Sequence, residues 1–140
     1  MKIDSELMEE ILVHGREEFP NECCGMVASK DGVAVKVYPA TNTAASPLRY
    51  ELDPMEQLRI EEEIWDNGWD LGVIYHSHTR SDPVPSETDR NLAFHPDAIY
   101  MILGLMGYDP DGIAEDQPAA DVRGWFIRAG VSEQTQIEVV

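Results

Sequence analysis

The chain reads as an α+β domain, a mixed β-sheet packed with helices. Three observations predict this. Two short continuous apolar runs, LGVIY (71–75) and IYMILGL (99–105), fit central strands covered on both faces. Two stretches, 4–19 and 53–67, carry apolar residues at helical spacing behind residues that cap helices. Lys30-Asp31-Gly32 is a hairpin signal between two further apolar segments. At 140 residues the chain is expected to form one domain, residues 1–140.

Taken in order, DSELMEEILVHGREEF (4–19) places Leu7, Met8, Ile11, Leu12 and Phe19 on one helical face, with Asp4 or Ser5 as the cap. His14 falls within it and reads as a packing or surface residue. PNECCGMVA then turns into a strand, and VAVKVY (33–38) follows the hairpin. ATNTAASP (40–47) is a polar loop, and LRYEL (48–52) reads as a short strand. Asp53-Pro54-Met55-Glu56 opens a helix: Asp53 is the N-cap, Pro54 suits the first helical position, and Glu56 is expected to close a capping box. Gly68 should end that helix in the left-handed conformation after Asn67, with Leu58, Ile64 and Trp65 buried. A helix is expected from Ser86 to Phe94, a long acidic loop over 106–121, and closing strands at 122–128 and 135–140. DPDG within that loop echoes a calcium loop but lacks the full ligand spacing.

Composition narrows the function classes. A chain of this size buries about 68–70% of its unfolded surface and needs no disulfide staples. Cys23 and Cys24 are adjacent and without a third, so a disulfide framework is excluded, and both read as small buried residues. No window approaches the ~18 apolar residues of a membrane span. The N-terminus lacks a signal-peptide pattern, so a cytoplasmic protein is expected. The formal net charge of −17 argues against nucleic acid and anionic membrane as partners. It favours a partner with a basic patch.

The chemistry concentrates in YHSHTRSDPVPSETDRN (75–91). On a strand, residues i and i+2 share a face with Cα atoms roughly 6.5–7 Å apart, so His76 and His78 can converge on one ion. A third ligand must come from elsewhere. Asp89 supplies it if the loop folds back and the helix starting at Ser86 packs over the strand end; Asp82 is an alternative. Three protein ligands leave a fourth position for water, the catalytic rather than the structural arrangement. Against this stands a plainer reading, in which Ser86 caps a helix and Asp89 sits at the positive end of its dipole. His-Ser-His by itself is a weak signal.

His-x-His, seven residues, then Ser-x-x-Asp is the signature of the JAMM (MPN+) zinc metallopeptidases, and residues 76–89 resemble it at all four fixed positions. PNECCG resembles the short glutamate motif of the prokaryotic branch. SPLRYELDPMEQL, VIYHSHT and HPDAIY look like the bacterial Mec-type enzymes, which release a terminal cysteine from the ubiquitin-like sulfur carrier CysO. The resemblance spans about Ser5 to Arg128. It implies an MPN/JAMM-like (cytidine-deaminase-like) fold and one Zn2+ per chain, held by His76, His78 and Asp89 with water as fourth ligand. It implies Glu22 as general base and Ser86 as the donor that helps hold the oxyanion. The implied partner is a ubiquitin-like sulfur-carrier protein ending in Gly-Gly, with cysteine released from a CysO-cysteine-type adduct. General deconjugation of ubiquitin-like modifiers from lysines is the alternative within the class, and a non-catalytic MPN scaffold the alternative outside it. A zinc deaminase would need H-x-E and P-C-x-x-C, which are absent, and an amidohydrolase barrel would need roughly 250 residues. Arg49, Tyr50 and Arg80 lie near the motif, where substrate contact, packing and surface roles all remain open. The acidic stretch 106–121 looks longer than the usual loop of the family.

Overall fold

The computed structural model describes residues 1–112 and 118–140. Its elements run β1 (Lys2–Ile3), α1 (Ser5–Glu18), β2 (Cys24–Lys30), β3 (Val33–Ala40), α2 (Pro54–Asp66), β4 (Asp70–His78), α3 (Glu87–Asn91), β5 (Ile99–Gly104), β6 (Asp121–Arg128), β7 (Val131–Thr135) and β8 (Glu138–Val139). The strands form one sheet in the order β7-β6-β5-β4-β2-β3-β1-β8. The β4–β5, β1–β3 and β1–β8 pairs are parallel and the others antiparallel, so the sheet is mixed, as the sequence implies.

β7 and β8 lie at opposite ends of that order, yet only Gln136 and Ile137 separate them in the chain. Such a link reaches about 10 Å, so the sheet must curl until its edges approach. Ile137 closes the curl and leaves no room for a Cβ at Gly124. Met8 and Ile11 of α1 pack on one face against Val27, Val73, Tyr75, Met101 and Leu103. Ile60 and Ile64 of α2 pack on the other against Met26, Ala28, Ile74 and Tyr100. β4 and β5 are therefore buried on both faces, which is why their sequences are unbroken apolar runs.

Several local expectations hold. Asp4 caps α1 by accepting from the Glu6 amide at 2.7 Å. The hairpin turn has Asp31 and Gly32 at φ 52° and 78°, as a two-residue turn of this hand requires. Gly68 adopts φ 71° and ends α2. His14 is buried, its Nδ1 2.6 Å from the Tyr75 hydroxyl.

Others are corrected. LRYEL is not a strand: only Leu52 makes an isolated bridge, to Asn42. The backbone of this segment is satisfied by Asn42 and Thr43 instead of a neighbouring strand. Glu56 does not close a capping box. Its carboxylate accepts from the Thr41 amide at 2.6 Å and the Thr41 hydroxyl at 3.2 Å, tying α2 to the loop before it. α2 buries Ile64 as expected, but its sheet-facing partner is Ile60, four residues earlier on the same face, while Leu58 and Trp65 are exposed. Leu7, Leu12 and Phe19 are only partly buried. α3 ends at Asn91, three residues early. The two-residue β1 and the polar β7 (VSEQT) carry too little pattern to be read from sequence. The final strand shrinks to Glu138–Val139. In the acidic stretch 106–121, residues 113–117 lie outside the described residues, and Asp121 already belongs to β6. The Asp109 carboxylate accepts from the Asp111 amide at 2.9 Å, a local turn bond. Neither residue belongs to a metal-type cluster among the described residues.

Candidate metal centre

β4 ends in the site. Ile74, His76 and His78 alternate onto the α2 side of the sheet, and the parallel pairing to β5 holds this end in the core. His76 is 1% and His78 4% exposed. Pro83 and Pro85 stiffen the loop that follows, and Ser86 then caps α3. Its hydroxyl accepts from the Asp89 amide at 3.0 Å, while the Ser86 amide donates to Asp89 Oδ2 at 2.9 Å. The cap expected at Ser86 is therefore real, in the form of a capping box, and so is the convergence. The same Asp89 oxygen lies 3.2 Å from His76 Nε2 and 3.0 Å from His78 Nε2. The two Nε2 atoms are 3.2 Å apart. Asp82 approaches through its backbone carbonyl, 2.7 Å from His78 Nδ1, and not through its carboxylate.

These three donor atoms fit a small divalent cation. A tetrahedral ion with bonds near 2.0–2.1 Å has ligand–ligand edges of about 3.3–3.4 Å, close to the triangle seen. With Nδ1–H donating to the Asp82 carbonyl, His78 presents an Nε2 lone pair to the site. Lone pairs facing one another at such distances need a proton or a cation between them. Burial pushes Asp89 upward, but its bonds from both imidazoles and the Ser86 amide outweigh that and keep it ionised. Burial lowers His76. His78 is also disfavoured by burial, yet Asp89 and the Asp82 carbonyl raise it on balance.

Glu22 reaches this site through strand register. Cys24 pairs with His76 in the antiparallel β2–β4 ladder, so two residues earlier Glu22 stands opposite His78. It is 4% exposed, and its carboxylate accepts no hydrogen bond among the described residues. Burial pushes its carboxyl up to about 8, with His78 pulling it down and Asp89 pushing it further up. Burial likewise pushes the thiols of Cys23 and Cys24 up to about 12, so neither is a nucleophile near neutral pH.

Sequence reasoning underrated the loop 41–53. Tyr50 stacks on His76, ring centroids 4.5 Å apart and planes 24° apart. Behind it a cavity of about 360 Å³ opens, lined by Leu52, Ile74, Leu92, Phe94 and Tyr100. Thr79, next to His78, donates to the carbonyls of Pro20 and Pro47. A tyrosine in an irregular loop has no periodic signal to betray it. Arg49 instead pairs with Glu51 on the surface at 2.8 Å, and Arg80 is exposed.

A family profile described as prokaryotic homologs of the JAB domain matches residues 4–119. CysO-cysteine peptidase of Mycobacterium tuberculosis is 38% identical over 99% of this chain and 90% of its own. Desampylase of Haloferax volcanii is 40% identical over 80% of this chain and 82% of its own. Among solved structures, a protein from Desulfitobacterium hafniense superposes with TM-score 0.79 at 30% identity, covering 99% of this chain and 92% of that one. A JAB1/MPN domain protein from Archaeoglobus fulgidus shares the fold, with TM-score 0.60 at 22% identity over 100% and 99% of the two chains. The His-His-Asp triangle, the mixed curled sheet and these similarities agree, and the chain belongs to the JAMM/MPN family, among the prokaryotic homologs of the JAB domain.

Proposed function

We propose that this protein is a zinc-dependent metallopeptidase that hydrolyses the bond after the C-terminal Gly-Gly of a ubiquitin-like sulfur-carrier protein, releasing cysteine from a CysO-cysteine-type adduct. The observation that carries the reading is the triangle of His76, His78 and Asp89 donor atoms with a buried Glu22 opposite His78, its carboxylate accepting no hydrogen bond among the described residues. His76, His78 and Asp89 would hold one Zn2+, which when bound would supply a Lewis acid and lower the pKa of a water in its fourth position toward about 7.

The residues of this chain do the rest. Glu22 takes the proton of the attacking water as its oxygen bonds to the scissile carbonyl carbon. A base whose pKa lies near the working pH suits that role. The Ser86 hydroxyl accepts from the Asp89 amide and keeps its own proton free to donate to the oxyanion. Glu22 then returns the proton to the departing nitrogen as the C–N bond breaks, leaving a carboxylate on the carrier. Glycines at the carrier tail let its backbone approach closely. The apolar cavity behind Tyr50 offers room for a side chain upstream of them.

The substrate class is supported by the CysO-cysteine peptidase relative at 38% identity. A second reading, release of ubiquitin-like modifiers from protein lysines, is supported by the desampylase at 40%. A Gly-Gly carrier bearing C-terminal cysteine, set against the same carrier linked to a lysine side chain, separates the two by mass spectrometry. Faster release of cysteine bears out the first reading. Cleavage of the lysine conjugate alone transfers the proposal to the second, and cleavage of neither contradicts both.

A further inference from the structure

We infer that Asn42 is a positioning residue that fixes Glu22 for proton transfer, acting through the loop 41–53; this rests on the role given to Glu22 above. Asn42 is half-buried, and its amide is used completely. Nδ2 donates to the Glu22 carbonyl and to the Arg49 carbonyl, both at 3.0 Å. Oδ1 accepts from the amides of Ala44 and Glu51, both at 3.0 Å. Two carbonyls on one side and two N–H groups on the other leave one orientation of the amide.

The consequence is that both polar groups of the Glu22 backbone are held by one loop. Its carbonyl is bound by Asn42 and its N–H donates to the Ser46 carbonyl at 2.9 Å. Glu22 precedes β2, so the β2–β4 register places it opposite His78 but its own N–H and carbonyl make no bond to β4. Its carboxylate, having no partner of its own among the described residues, is aimed by its backbone. The bond from Asn42 to Arg49 and the one from Glu51 bracket Tyr50, whose ring lies on His76. One amide thus sets the spacing between the base and a metal ligand. Ala45, in the same turn, is forced to φ 44°. A residue with a Cβ avoids that conformation unless its surroundings impose it.

The loop is polar and lacks periodicity, so a plain structural role would show as lost folded protein alone. Asn42→Ala removes all four bonds. Asn42→Asp keeps the acceptor for Ala44 and Glu51 and removes both donors. Both variants are expected to lose about 10–100-fold in kcat, as misplacement of a reacting group does. KM and zinc affinity should stay within roughly threefold of wild type. In the metal-free protein, hydrogen exchange at the Glu22 amide should accelerate at least tenfold while the amides of Met26 and Val27 keep their protection. In a Glu22→Gln background Asn42→Ala should cause no further loss, because the two act as a unit. Wild-type kcat in Asn42→Asp, a change in KM alone, or full additivity with Glu22→Gln would overturn the inference. Full turnover in Glu22→Gln by itself would overturn the base assignment instead, which keeps the two failures apart.

Discussion

At the residue scale, Glu22, the proposed base, carries a cost in stability. Its folded carboxyl sits near 8 against an ordinary value of 4.5. In the metal-free protein the folded state therefore holds a proton that the unfolded state has released between those two values. Stability contributed by neutral Glu22 is present below about 4.5 and is lost as pH rises toward 8. Glu22→Gln removes this loss, so the metal-free variant should melt higher than metal-free wild type at pH 8 and not at pH 4. An equal difference at both values would contradict the burial argument. Ser86→Ala should lower kcat by about 10²–10³ while retaining stoichiometric metal. It should also lower stability by about 1 kcal/mol, since the same hydroxyl caps α3. Cys23 and Cys24 should remain unmodified by iodoacetamide at pH 7.5, with activity intact. His76, His78 and Asp89 were legible in the sequence as candidate ligands because strand and helix deliver them from one short contiguous stretch, whereas Ser86 was legible there as a helix cap and its oxyanion role came only by resemblance. Glu22 was legible only by resemblance. Its place depends on a β2–β4 register spanning 54 residues, from Cys23 to Ser77, and nothing local sets it apart from other acids.

At the scale of elements, α3 is only five residues long and is held by its capping box and the contact with β4. Asp89→Asn should leave the cap largely in place, because the amide oxygen can still accept from Ser86. It should lower metal affinity by more than the ~10–100-fold typical of losing a supporting group, read by competition with a chromophoric chelator. Wild-type affinity in that variant would remove Asp89 from the ligand set. α1 is joined to β4 by the buried His14–Tyr75 bond. Burial lowers His14, with Glu18, Glu17 and Glu56 opposing, so the folded state favours the neutral ring. Stability from this group is present above 6.5, the unfolded value, and is lost as pH falls below it. His14→Gln should flatten the fall of Tm as pH drops below 6.5. The helices were legible because their caps and apolar spacing are local. LRYEL was not, because its partner is the side chain of Asn42 and not a strand, and a five-residue window holds no trace of that.

At the scale of the whole molecule, β2 and β4 are neighbours in the sheet, and the 41–53 loop meets them at the site through Asn42 and Tyr50. The alternation of apolar runs and helices was enough to forecast a mixed sheet. The meeting of its edges through Ile137 was not, because closure depends on Ile137 packing at Gly124 and on β8 pairing with β1, which no single segment encodes. A net charge of −17 should steer a basic carrier toward the site. KM for such a carrier should rise several-fold from low salt to about 0.5 M while kcat holds, since screening weakens encounter and not chemistry. The central claim is that His76, His78 and Asp89 hold one divalent cation on which hydrolysis depends. The direct measurement is the metal content and turnover of one sample, before and after demetallation and after restoring zinc. The account requires one ion per chain, loss of activity with its removal and recovery with its return. Undiminished cleavage by the verified metal-free protein would contradict it.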